Sequence, residues 1–226
     1  MPLLGNAAML LGFDVAAEAV DDHDDWHTHE HLPERLAIPG FLRGTRWVAI
    51  EGAPRYAVLY EVEALETLAS PAYLERLNHP TPWTTRTMPH YRGMTRGLCT
   101  VAASAGAGQG PFGLLVRLEP AAGAEGRLDA FLRREIVATL PMRPGLGSAH
   151  LLKAELAAPM TNEQRIRGAD AAVAWALLVT GYRQDAVAAL ASAELAPGRL
   201  QANGAGRSTA ALYRADYILV AGEPGA

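Results

Sequence analysis

Two stretches of this chain, YAVLY at 56–60 and VAWALLV at 173–179, are apolar at odd and even positions alike. Successive strand side chains point to opposite faces of a sheet, so a sheet with one face in water shows alternating polarity. Neither stretch alternates, and each must therefore be covered on both faces. Helices can cover one face, and the other packs most simply against a second sheet. With 226 residues, half of them apolar and 19% charged, the chain is long enough to build such layers around a real core.

Periodicity orders the elements. MLLGFDV (9–15) reads as a strand, and 20–38 as a helix stopped by Pro39-Gly40. The strands GTRWVAIEG and RYAVLYEVEA follow around a Gly-Ala-Pro turn, then a helix over 65–77, a loop over 78–92 and the strand TRGLCTVAA. That order is βαββαβ. After the small-residue stretch SAGAGQGP it repeats: the strand LLVRLEP, a helix over 125–140, the strands AHLLKAEL and AVAWALLVTGY, a helix over 184–195 and the strand STAALYRADYILVAG. Trp26 matches Phe131, and Pro39-Gly40 matches Pro144-Gly145, at one offset of 105 residues. These matches predict an internal duplication. They divide the chain into an N-terminal half over 1–106 with the candidate site, a linker over 107–112 and a C-terminal half over 113–226 that serves as scaffold. The expected fold is α+β: two ferredoxin-like βαββαβ halves whose antiparallel sheets pack face to face as an intramolecular barrel.

Composition excludes several functions. A net charge of −4 and a pI near 6.0, with no basic cluster, argue against nucleic acid or an anionic membrane surface as partner. The apolar start lacks a basic region and is read as a first strand, not a signal peptide. The longest apolar run, 171–179, is too short to span a bilayer. One cysteine, Cys99, allows no internal disulfide, and a reducing cytoplasm is the expectation; Cys99 itself reads as a buried small hydrophobe. Lys153 is the chain's one lysine and sits in an apolar strand, which leaves no basis for Schiff-base chemistry. The glycines of GQGPFG at 108–113 satisfy a dinucleotide-binding pattern, but a strand follows where that fold needs a helix N-terminus.

The segment WHTHEHLPERLAIPGF (26–41) concentrates histidines. On a helix, His23, His27, His31 and Arg35 share one face, while Asp21, Asp22, Asp24 and Asp25 suit the positive end of the helix dipole. Pro33 lacks an N–H and predicts a kink or restart. At the 105-residue offset His27 falls on Leu132, His29 on Arg134 and His31 on Ile136, so the sister helix forms without histidines. Chemistry, if present, belongs to the N-terminal half. Three readings stay open: a metal site from two histidines with Glu30 or Glu34 and a distant His79 or His90; acid/base work by His31 beside Glu34, Arg35 or His27; or a solvated polar helix face. HTHEH is not HExxH, and no metal is assigned. The loop over 78–92 offers a second focus, in which Tyr73, Trp83 and Tyr91 can line an apolar pocket, with Arg86, Arg92 and Arg96 as carboxylate or phenolate partners. The polar insertion 160–170 reads as a longer hairpin or short helical excursion with no chemistry in it.

The pattern of an aromatic, His-x-Pro and Pro-Gly ahead of a strand, here Trp26, His31-Leu32-Pro33 and Pro39-Gly40, resembles the first helix of EthD-like members of the dimeric α+β barrel superfamily. The resemblance covers about the first 60 residues, and the second half through strand order alone. It implies a cleft between sheet and helices, with His31 the position carried over. That superfamily includes cofactor-free monooxygenases, isomerases and cyclases acting on small hydrophobic molecules, and also haem enzymes. The resulting expectation is His31, aided by His27 or His90, acting without a cofactor on a small aromatic or polyketide-like compound in a pocket with Trp26, Arg35, Tyr73, Trp83 and Tyr91. The alternatives are a haem-binding barrel with a histidine axial ligand, or a non-catalytic barrel that binds a small molecule or a partner chain. A homodimer is compatible with this fold but not required by it.

Overall fold

The computed structural model describes residues 3–156, 161–168 and 170–223. In the N-terminal half β1 (Ala7–Val15) leads to α1 (Val20–Trp26), which runs through a π turn (His27–His31) into α2 (Leu32–Leu36). Then come β2 (Phe41–Glu51), β3 (Tyr56–Val62), α3 (Pro71–Asn78), α4 (Pro82–Thr87) and β4 (Tyr91–Gly106). The C-terminal half begins with β5 (Phe112–Pro120) and α5 (Glu125–Phe131), which also ends in a π turn (Leu132–Val137). It continues with β6 (Leu146–Leu156), α6 (Asn162–Arg167), the two-residue β7 (Ala171–Ala172), β8 (Trp175–Gly181), α7 (Gln184–Ala189), α8 (Pro197–Ala202) and β9 (Ala205–Val220).

Each half forms an antiparallel sheet of the same order, β4-β1-β3-β2 in the first and β9-β5-β8-β6 in the second. Two antiparallel seams join them: β2 pairs β9 from Arg43↔Val220 onward, and β4 pairs β6 from Cys99↔Ala154 to Gly106↔Ser148. Eight strands thus close into a barrel, and β7 adds a short parallel pairing to β4 at Thr95 and Arg96.

The doubly apolar strands are explained by this arrangement. On β3, Ala57 and Leu59 point into the barrel interior with Leu10, Trp47, Cys99, Leu115, Leu178 and Tyr213, while Tyr56, Val58, Tyr60 and Val62 pack outward under the helices. On β8, Ala176 and Leu178 face inward, and Leu177 and Val179 face the helices of the second half. Side chains fill the interior. Burial pushes the Cys99 thiol up to about 12, so it is inert at neutral pH.

Several local expectations are corrected. The break attributed to Pro33 is a π turn that precedes it, with the Leu32 N–H donating to His27 O. The sister helix makes the same turn with Ala138 at the matching position, so the turn belongs to the shared helix. Pro33 lies in the first turn of α2, where a missing N–H costs little. The Pro-Gly stops do match: Gly40 and Gly145 adopt φ of 90° and 89°, a left-handed geometry that glycine takes without strain. The small-residue stretch begins inside β4, which runs to Gly106, and β5 starts at Phe112. The loop over 78–92 contains α4, whose Thr81 side chain accepts from the Thr84 N–H. The helix read over 184–195 is shorter, and α8 follows it. Among the described residues no helix is long and apolar enough to cross a membrane.

Candidate functional site

The stripe His23, His27, His31 and Arg35 lies on one face of the first helix, and it is buried, not solvated. That face packs on the outer side of the first sheet, where Phe13, Tyr56 and Tyr91 supply rings. Ring centroids are 5.6 Å apart for His23 and His27 and 5.5 Å for His27 and His31, and Trp26 lies tilted against His31 at 4.3 Å. A polar stripe here displaces apolar packing, as the sister helix shows: Leu132 and Ile136 take the same positions in the core of the second half.

Below the stripe is a cavity of about 20 Å³, room for about one water molecule. Its apolar wall comes from Met9, Leu11 and Phe13 of β1, Leu77 of α3, and Met88 and Met94. The polar wall comes from His27, His31, Arg35, Tyr73, Tyr91 and Arg96. Glu163 and Arg167 of α6 close the cavity. Helix α6 is held on the end of α3 by Asn162 Nδ2 donating to Asn78 O (2.6 Å), and Thr161 and Gln164 form a capping box at its start.

The charges form one network. Arg35 donates to Glu163; Arg167 reaches Asp170 at 2.7 Å and Glu163 at 3.9 Å; Arg96 lies 3.9 Å from Asp170 and donates to the Tyr73 hydroxyl at 3.2 Å. Three guanidinium groups thus face two carboxylates. Burial works against the Arg35 charge, but the Glu163 carboxylate outweighs it, and the guanidinium pKa is raised. Burial first, then the Arg35 charge and His27, hold His31 well below 6.5; burial, then His23 and Arg46, do the same for His27. Both imidazoles are therefore neutral at pH 7. Five buried polar atoms in and around this network have no hydrogen-bond partner: His27 Nδ1, His31 Nδ1, Arg35 Nη1, Arg96 Nε and the Tyr60 hydroxyl. Buried polar atoms are seldom left so.

A second chain of contacts leads away from the cavity. The Tyr91 hydroxyl is 3.2 Å from His23 Nε2, and His23 Nδ1 is 2.9 Å from Asp24 Oδ1. Burial lowers the His23 pKa, with Asp24 opposing, and burial holds the Tyr91 phenol well above 10.

Of the residues singled out in the sequence, His27, His31, Arg35, Tyr73, Tyr91 and Arg96 meet at the cavity. Trp26 stands behind His31, fully buried, with its indole N–H shared between Glu30 (3.0 Å) and Thr84 (3.2 Å). Trp83 and His90 do not reach the cavity: α4 turns Trp83 outward to donate to Asp22 at 3.1 Å, and His90 lies near the same Asp22. Arg86 pairs with Asp22, and Arg92 caps backbone carbonyls of Pro89 and Tyr91. His29 and His79 are exposed. Sequence reasoning missed Glu163, Arg167 and Asp170, which lie in the insertion set aside as having no chemistry; Met160 at its start lies outside the described residues. The available signal was Thr161-x-x-Gln164 with Glu163 and Arg167 four apart, a helix start carrying an ion pair.

Among the described residues no three His, Cys, Asp or Glu side chains are grouped to hold a metal ion. The cavity beside the histidines is far below the few hundred Å³ of a ligand pocket, for haem or any other ligand, and two larger cavities, of about 290 and 410 Å³, have no histidine in their walls.

No protein-family model matches the chain, and neither does any curated protein sequence. Solved structures do match in shape. An anthrone oxidase-like protein is 13% identical with a TM-score of 0.67, the match covering 99% of this chain and 97% of that one. A candidate monooxygenase from Fusobacterium nucleatum subsp. nucleatum is 9% identical with a TM-score of 0.62 over 96% of both chains. Chlorite dismutase from Candidatus Nitrospira defluvii, solved with imidazole, is 10% identical with a TM-score of 0.57 over 95% of this chain and 92% of that one. At such identities the likeness speaks for the fold alone. The chain has the fold of these dimeric α+β barrels, with the closed ring of strands drawn from a single polypeptide.

Proposed function

We propose that the protein performs cofactor-free acid/base chemistry on a small hydrophobic phenol or enol, of the monooxygenase type, in the N-terminal cavity. The observation that carries this reading is the pair of neutral imidazoles, His27 and His31, each with Nδ1 lacking a hydrogen-bond partner, at a cavity with one apolar wall, one polar wall and an excess of one guanidinium. A neutral imidazole has a free ring-nitrogen lone pair with which to accept a proton. The oxyanion left behind would be held by Arg35 Nη1 and Arg96 Nε, both buried without hydrogen-bond partners. For an anthrone-like methylene the balanced reaction takes one O2, leaves one oxygen in the new carbonyl and releases the other as water, with the substrate supplying the electrons. Admission of a ligand requires α6 to lift, because the cavity holds about one water. The shared strand order, the π turns and the 105-residue offset support an EthD-like chain that arose by duplication.

Dithranol, a dihydroxyanthrone, is a suitable probe under air. His31→Ile, which copies Ile136 of the sister helix, is expected to lower its oxidation at least 100-fold. The same variant is expected to raise stability by about 1 kcal/mol, because it removes an unsatisfied buried polar group. Unchanged oxidation by this variant would reject His31 as the base. The small cavity favours one other reading, a non-catalytic barrel; tight dithranol binding without turnover would select it.

A further inference from the structure

A base inside a cavity that already carries excess positive charge cannot keep the proton it takes, since an imidazolium beside Arg35 and Arg96 is disfavoured. Neither His27 nor His31 has a hydrogen-bonded exit: the His27 and His23 rings are neighbours at 5.6 Å, but no hydrogen bond joins them. We infer that Tyr91, His23 and Asp24 form the path by which a proton leaves the cavity for solvent. This rests on the reading of the cavity as a proton-abstracting site.

Tyr91 lines the cavity, and among the described residues its hydroxyl has a hydrogen-bonded connection outward: 3.2 Å to His23 Nε2, then 2.9 Å from His23 Nδ1 to Asp24 Oδ1. The His23 side chain is fully buried, whereas about a third of the Asp24 side chain (32%) is exposed, so the chain begins in the protein and ends in water. Asp24 Oδ1 also accepts from the Tyr56 hydroxyl at 2.8 Å and has Arg46 at 3.9 Å, which keep the carboxylate ionised. An ionised carboxylate can only accept. It therefore fixes the His23 proton on Nδ1 and leaves the Nε2 lone pair to accept from Tyr91. This is the logic of an acid-oriented imidazole acting on a hydroxyl, with a phenol in the hydroxyl's place.

The transfers balance. As the proton taken by the imidazole is handed on to the Tyr91 oxygen through a water in the cavity, which has room for about one, the phenol's own proton passes to His23 Nε2, so no phenolate accumulates. Asp24 holds the resulting imidazolium until the Nδ1 proton leaves through the carboxylate to water; the imidazole is then left with its proton on Nε2, and reorientation of the ring resets the path before the next proton. The ligand has lost one proton and the solvent gained one. In the sister half Leu128 stands where His23 does, so the path is confined to the half with the histidine stripe.

Nitrogen-15 NMR of the ligand-free protein tests the path without any ligand. The wild type is expected to show His23 neutral with its proton on Nδ1. Asp24→Asn, whose amide can donate to Nδ1, is expected to move it to Nε2; Tyr91→Phe is expected to leave it on Nδ1. With dithranol under air both variants are expected to lose at least 100-fold in turnover, although only one changes the tautomer. A merely structural role would not separate them in this way. A wild-type His23 protonated on Nε2, or wild-type turnover in either variant, overturns the path. If the wild-type protein itself does not oxidise dithranol, the reading of the cavity fails instead. The path is then decided by exchange of the Tyr91 hydroxyl proton with water, which Asp24→Asn should slow at least tenfold and which, if unchanged, overturns it.

Discussion

Lowering the pH from 7 to 5 is expected to remove about 5 kcal/mol or more of stability, a large part of the 5–15 kcal/mol typical of a folded domain. Four buried histidines, His23, His27, His31 and His150, have folded pKa values below the ordinary 6.5, and burial holds His150 at about 4. As the pH falls through 6.5 the unfolded chain takes up protons that the folded chain refuses. The stabilisation is therefore complete above about pH 6.5 and is lost progressively below it. Each such histidine contributes a slope of up to about 1.4 kcal/mol per pH unit, hence up to about 2 kcal/mol between pH 6.5 and 5; His27, His31 and His150 together contribute up to about 6, and His23, which Asp24 draws back towards its ordinary value, less. Glu34 and Glu61, whose pKa values burial raises above 4.5, titrate in the opposite sense and return part of the loss. Urea midpoints at pH 7, 6 and 5 measure this directly. A midpoint that does not move would mean that the imidazoles are already charged in the fold.

The second large effect concerns the Arg35–Glu163 pair, in which both side chains are buried. Glu163→Ala leaves a guanidinium without its carboxylate in a dry site, a change that costs about 3–5 kcal/mol when the structure cannot relax. Here α6 can relax by lifting. Backbone amides of residues 161–168 are therefore expected to lose at least 100-fold in hydrogen-exchange protection, while amides of β3 keep theirs. The double variant Arg35→Met/Glu163→Leu, which removes both charges and keeps the volume, is expected to recover most of the protection. If Glu163→Ala exchanges like the wild type, the ion pair does not hold α6 down.

Much of the architecture was legible because it is written in local periods. The doubly apolar runs at 56–60 and 173–179 required two covered faces, and β3 and β8 have them. The spacing of four among His23, His27, His31 and Arg35 placed them on one face, although their polarity suggested water and the opposing rings of Phe13, Tyr56 and Tyr91 provide burial instead. What stayed hidden depends on distance in sequence. Glu163 lies 128 positions from Arg35, and no local pattern says where a six-residue helix will land. Trp83 and His90 were misplaced for the converse reason: a short helix begun by Thr81 and Pro82 turned an assumed loop, and carried the indole to Asp22.

The two seams, β2 with β9 and β4 with β6, lie within one chain. In an assembly of two identical molecules every substitution appears twice, so a costly polar group at one end is copied to the other. Here each end of the ring carries its own residues. One end can bear three imidazoles that weaken it, while Leu128, Leu132 and Ile136 at the other keep an ordinary greasy packing and support the whole.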